Sequence, residues 1–124
     1  MEIEAVVEYN SKGYLIYAEN FPGAFARGKS QNEAMAKMPD EIRRYLRWTG
    51  TPFDPSAPIR LPVVQTKEST LQIHDADSDV IFDTERPALT REAYLQLKAL
   101  AIKSAKDFQT LYDSVPDKSG TVLS

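Results

Sequence analysis

Four groups of residues in this 124-residue chain have types and spacing that chemistry could use. Asp75, Asp77 and Asp79 alternate as the first carboxylates of a calcium loop do. Such a loop also needs glycine at its sixth position and a bidentate glutamate at its twelfth, and here those places hold Val80 and Arg86. A solvated acidic segment is the expectation. His74, the single histidine, has no cysteine or second histidine with which to form a transition-metal site, so it reads as a surface side chain. Glu2, Glu4, Glu8 and Glu19 are the residue type a two-metal hydrolytic centre requires. The first three alternate with Ile3, Ala5 and Val7, as ordinary wet-face strand residues do, and no catalytic group, metal or cofactor is assigned to them.

The fourth group is basic and aromatic. Arg43, Arg44, Arg47 and Trp48 crowd one helix end, where they would meet an acidic partner or RNA phosphate, with Trp48 stacking. Cations are also favoured at a helix C-terminus in their own right, and Trp48 can simply close a core. Tyr14, Tyr17, Phe21 and Phe25 concentrate aromatic area upstream, and half of them are expected inside. Arg43, Arg44, Arg47, Trp48, Tyr14 and Phe21 are therefore the candidate partner-binding residues.

The elements that must hold these residues follow from periodicity. Ile3, Ala5, Val7 and Tyr9 predict a strand with one wet face, and Tyr14 to Ala18 its returning partner. Asn10-Ser11-Lys12-Gly13 reads as a four-residue loop with Gly13 able to take positive φ. Phe21-Pro22-Gly23 breaks the pair, and residues 24–27 read as a short third strand. Ser30 with Glu33 is a capping box, and Ala34, Met38, Ile42, Tyr45 and Leu46 form the apolar stripe of the helix behind it. Pro39 predicts a kink near residues 35–38, or two shorter helices. Gly50 and Pro52 end that helix.

Four prolines between Thr51 and Pro62 impose an extended connector, and residues 59–66 read as a further strand that Pro62 either makes an edge strand or starts later. Residues 67–89 are polar and acidic, with a short strand expected at 80–82. Thr90 caps a second long helix with Leu97, Ala101, Ser104, Phe108 and Leu111 on its stripe, ending near Ser114 before Pro116. The tail at 115–124 is turn-like, and mobility is expected of it.

Bulk properties exclude several classes. The net charge of −3 and pI near 5.2 argue against a dedicated nucleic-acid binder, and basic and acidic side chains balance over residues 1–50. Without cysteine there is no disulfide framework or thiolate zinc site. No apolar run approaches the ~20 residues of a membrane span, and Met-Glu-Ile-Glu is no basic leader, so the cytoplasm is the expected location.

Gly13-Tyr14, Phe21-Pro22-Gly23, Gly28, Ser30 and Glu33-Ala34, in this order and spacing, resemble the HicB family of bacterial antitoxins. The resemblance covers about residues 1–66. It implies a small sheet with one helix, a partial ribonuclease H fold without that enzyme's active site, and neutralisation of a HicA-type ribonuclease toxin by occlusion. Family antitoxins usually carry a DNA-binding segment after the sheet. Residues 67–124 offer one long helix and no second recognition helix, so operator binding is not expected. More weakly, residues 89–118 resemble the first helix of DinB-like four-helix bundles. That would make this chain the N-terminal part of a longer metal-dependent protein whose three histidine ligands lie elsewhere.

The expected protein is thus α+β: an antiparallel sheet of three or four strands with one helix packed on it (1–66), an acidic connector (67–89), a second long helix (90–114) and a tail. The expected function is non-catalytic protein binding, to a HicA-type toxin or to a second copy of the chain. The alternatives are an accessory domain of a DinB-like protein and an RNA-binding module.

Overall fold

The computed structural model describes residues 1–73, 78, 80–83 and 88–116. The chain divides into two compact units, Met1–Arg86 and Pro87–Ser124. The first holds β1 (Ala5–Asn10), β2 (Gly13–Ala18), β3 (Phe25–Gly28), α1 (Gln31–Thr49) and β4 (Val63–Glu68). The second holds α2 (Arg91–Ser114). The architecture is α+β, as the periodicities predict.

The strands form one sheet in the order β3-β2-β1-β4. β1 and β2 are an antiparallel hairpin, Ala5 opposite Ala18 and Asn10 opposite Gly13. The loop is therefore two residues, Ser11 and Lys12, rather than four. The Asn10 side chain accepts a 2.9 Å bond from the Lys12 amide, a local turn device that spares Gly13 a positive φ. Positive φ falls instead at Asn20 (68°) and Gly23 (95°), in the turn between β2 and β3.

β4 pairs parallel to β1, so the sheet is mixed where the sequence suggested antiparallel pairing throughout. Chain direction explains this. β3 runs with β1, α1 runs back across one face, and the strand that follows must run with β1 again. Prolines do not prevent the pairing from starting early: the amides of Ile3 and Ala5 donate to the carbonyls of Arg60 and Pro62 at 2.8 Å. The missing Pro62 amide nevertheless defers the strand proper to Val63.

α1 is a single helix through Pro39, with no break at 35–38. Ala34, Met38, Ile42 and Leu46, spaced by four, are buried against Ile3, Ala5, Val7, Ile16, Ala18, Ala24 and Ala26. Each large side chain so buried contributes ~1.5–3 kcal/mol, enough to carry the helix across a residue that costs it ~3 kcal/mol. Ser30 caps its start through the Glu33 amide at 3.1 Å. The Glu33 carboxyl reaches back to the Lys29 amide at 3.0 Å. At the other end Gly50 takes the left-handed conformation (φ 74°) and donates to Arg47 and Leu46 carbonyls.

The opposite sheet face is not wet. Val6 and Glu8 on β1 and Leu15 on β2 are fully buried, and Ile73 is buried with them. Glu8, expected in solvent, accepts from Ser78 Oγ at 2.6 Å and from the Tyr17 hydroxyl at 3.3 Å. Phe82 meets Tyr17 edge-on at 5.4 Å. The Gln65 side chain clasps the same stretch from both sides, donating to the Ile81 carbonyl and accepting from the Asp83 amide, each at 2.9 Å. Residues 80–82 thus form no strand; side-chain bonds and one ring contact hold them over the sheet.

In the second unit, Thr90 caps α2 through the Ala93 amide at 3.1 Å, and the helix ends at Ser114. None of its side chains is buried, and Tyr94, Leu95, Ile102, Phe108 and Leu111 are exposed. Among the described residues no helix is long and apolar enough to cross a membrane.

Candidate partner-binding surface

The C-terminal half of α1 and the turn after β2 build the most aromatic part of the surface. Tyr45 and Trp48 lie three residues apart on α1 and so share a face; their rings are 5.7 Å apart. Phe21, brought alongside by the Asn20–Gly23 turn, stacks on Tyr45 at 5.3 Å with 8° between ring planes. The turn is pinned to its strands by bonds from Ala18 N to Ala24 O (3.0 Å) and from Ala24 N to Phe21 O (3.0 Å). Burial holds the Tyr45 hydroxyl above its usual pKa. All three rings are only half-buried; Phe21 and Tyr45 pack against the core, and Trp48 extends the ladder from Tyr45.

A shallow cleft of about 180 Å³ runs beside the ladder, lined by Gly23, Ala24, Glu41, Arg44, Tyr45 and Trp48. Arg44 pairs with Glu41 at 3.2 Å while staying largely exposed. It is a cation on a short tether, worth little to stability in water and available to an acidic group.

The structure separates the other candidates. Arg43 turns inward: it bonds Asp40 at 3.4 Å and the Ala57 carbonyl at 3.5 Å, and its side chain is only 23% exposed. It ties the proline-rich connector to α1. Arg47 lies over the Phe53 ring at 5.6 Å, a cation–π contact with the same connector. Tyr14 pairs with Gly28 at the other end of β2 and stacks on Tyr9 at 5.6 Å. Of the six predicted residues, Phe21, Arg44 and Trp48 are brought together; Arg43 and Arg47 serve the connector, and Tyr14 sits apart.

Tyr45 and Glu41 belong to the surface but were legible only as a core-stripe residue and a helix-face acid. Their i, i+3 and i, i+4 relations to Arg44, Trp48 and each other were the available signal. His74, Asp75, Asp77 and Asp79 lie outside the described residues.

No family model, curated protein or solved structure matches the chain significantly.

The remaining acids do not assemble a metal centre: among the described residues no three potential ligands converge. What they do form is a carboxyl pair. Glu4 is exposed and Glu19 nearly buried, joined through the Glu19 amide donating to the Glu4 carbonyl at 2.9 Å. A side-chain hydrogen bond with Glu19, then desolvation, then the charges of Glu19 and Glu2 hold the Glu4 carboxyl above its ordinary range.

Proposed function

We propose that this chain is a non-catalytic protein-binding module of HicB type, whose contact surface is the Phe21–Tyr45–Trp48 ladder with Arg44 at its rim. The observation that carries the reading is the ladder itself. Tyr, Trp and Arg are the side chains in which binding energy concentrates, and here two stacked rings pre-order a third around a shallow cleft. Pre-ordering lowers the entropy lost on association. The four-stranded sheet with one packed helix is the architecture the resemblance implies. The partner is a HicA-type toxin, inhibited by occlusion of its site.

The test is a binding titration against such a toxin by calorimetry. Trp48→Ala is expected to weaken binding by about thirtyfold, the scale of a ~2 kcal/mol anchor, with folding unchanged. Undiminished affinity in that variant would move the contact surface elsewhere, and absence of any binding would remove the toxin.

One observation favours a second reading. α2 leaves seven large hydrophobic side chains exposed, and such a surface needs neighbours. A longer, DinB-like protein would supply them in cis. Protection of α2 amides from exchange that depends on chain concentration would instead assign those neighbours to a second copy.

A further inference from the structure

At the far end of the sheet from the aromatic ladder, three pieces of chain converge. Tyr14 pairs with Gly28, so the β1–β2 turn carrying Lys12 lies beside the exit from β3 and the start of α1. Between them is a cleft of about 450 Å³, lined by Lys12, Arg27, Gly28, Lys29, Glu33 and Lys37. That volume is within the ~300–1,000 Å³ of small-molecule sites.

Its charge is the reverse of the chain's. The protein carries a net charge of −3, yet here four cations face one carboxyl. That carboxyl is already engaged: Glu33 accepts from the Lys29 amide at 3.0 Å with one oxygen and lies 3.8 Å from Lys37 Nζ with the other. Lys37 is held in place, donating to the Arg27 carbonyl at 2.7 Å. The Lys12 backbone is fixed by its bond to Asn10. Among the described residues no carboxyl pairs with the Lys12 or Lys29 ammonium. Gly28 leaves the strand end bare where it approaches α1, since a Cβ there would come within 2.7 Å of the Ala34 amide nitrogen.

We propose that this cleft binds a pyrophosphate-class oxyanion. Clustered like charges repel one another unless an anion lies between them, and ammonium–oxyanion hydrogen bonds are among the strong ones. One phosphate would leave most of the cleft to water. Two adjacent phosphates would fill more of it and could meet more than one of Lys12, Lys29 and Lys37.

The experiment is a ¹⁵N-resolved NMR titration of the whole chain with inorganic pyrophosphate and, separately, a nucleoside diphosphate. Saturable shifts at residues 12–13, 28–29 and 33–37 are expected, weakening as salt is raised. The double variant Lys12→Gln/Lys29→Gln should lose about tenfold or more in affinity, the scale for losing charge-assisted contacts. Lys98→Gln/Lys103→Gln, on α2, should not. Tighter binding of the nucleotide assigns the anion's source to a nucleotide; equal binding assigns it to the phosphates alone. Shifts spread evenly over all lysines, no binding of either probe, or a double variant within about twofold of the parent would overturn the proposal. The variant's unperturbed spectrum elsewhere reports that it has folded.

Discussion

Ser78 donates a 2.6 Å hydrogen bond to the carboxyl of Glu8, which is wholly buried on the sheet face opposite α1. The two residues are seventy positions apart in the chain. This bond, the Tyr17–Phe82 contact and the Gln65 clasp keep Ser78 and residues 80–83 over a sheet that would otherwise be covered by one helix on one side only. Ser78→Ala removes one of the bonds to Glu8. It is expected to cost about 1–2 kcal/mol, as loss of a bond to a buried ionisable group does, and to speed amide exchange at Ile81 and Asp83 before the α1 amides respond. Urea unfolding and hydrogen exchange measure the two effects. Unchanged exchange at 81–83 would show that Ser78 does not hold the segment.

The Glu4–Glu19 pair sets a pH dependence. Because the folded state raises the Glu4 carboxyl above its ordinary range, it binds more protons than the unfolded chain there. Its stabilising contribution is full below the ordinary carboxylate range and declines as pH rises through the raised value. Glu4→Gln removes that decline. Urea midpoints followed from mildly acidic to neutral pH should fall in the parent and flatten in the variant; parallel curves would dissociate Glu4 from the effect.

Asp54 has the opposite sign. The Ser56 hydroxyl at 2.7 Å and the Ser56 amide at 2.9 Å hold its carboxyl below the usual range. The turn at 54–57 is therefore held above the ordinary carboxylate range and loosens as pH falls through the lowered value. NMR shifts of the Ser56 amide against pH should titrate below the ordinary carboxylate range, and in Asp54→Asn they should not move.

Pro39 is the residue α1 tolerates rather than uses. Pro39→Ala restores a backbone donor within a helix already held by Met38 and Ile42. It should stabilise the first unit by about 1–3 kcal/mol, read as a higher urea midpoint. A destabilised variant would mean that α1 depends on the local geometry proline imposes.

Gly28→Ala tests the close approach of β3 to α1. With the added Cβ 2.7 Å from the Ala34 amide nitrogen and 3.1 Å from Glu33 Cβ and Cγ, backbone must shift. A loss of about 1–3 kcal/mol is expected, accompanied by faster exchange in the first turn of α1. Wild-type stability in this variant would show that the strand end has room to move.

Much of this protein is written in short stretches of chain. The Ser30–Glu33 cap, the left-handed Gly50, the four-residue spacing from Ala34 to Leu46 and the Thr90 cap each depend on bonds or faces within one or two turns, so residue type and spacing determine them. The parallel pairing of β4, the burial of Glu8 and the union of Phe21 with Tyr45 depend on which distant segment arrives alongside. Period-two alternation assigns Glu8 to the face opposite Val7, correctly, but whether that face meets water is decided by where Ser78 and Phe82 lie. The same holds for the two candidate sites. Arg43, Arg44 and Arg47 are near-identical in sequence, and tertiary structure sends them to Ala57, the open cleft and Phe53 respectively. A helix face is set by local geometry; what stands opposite that face is set by the path of the whole chain.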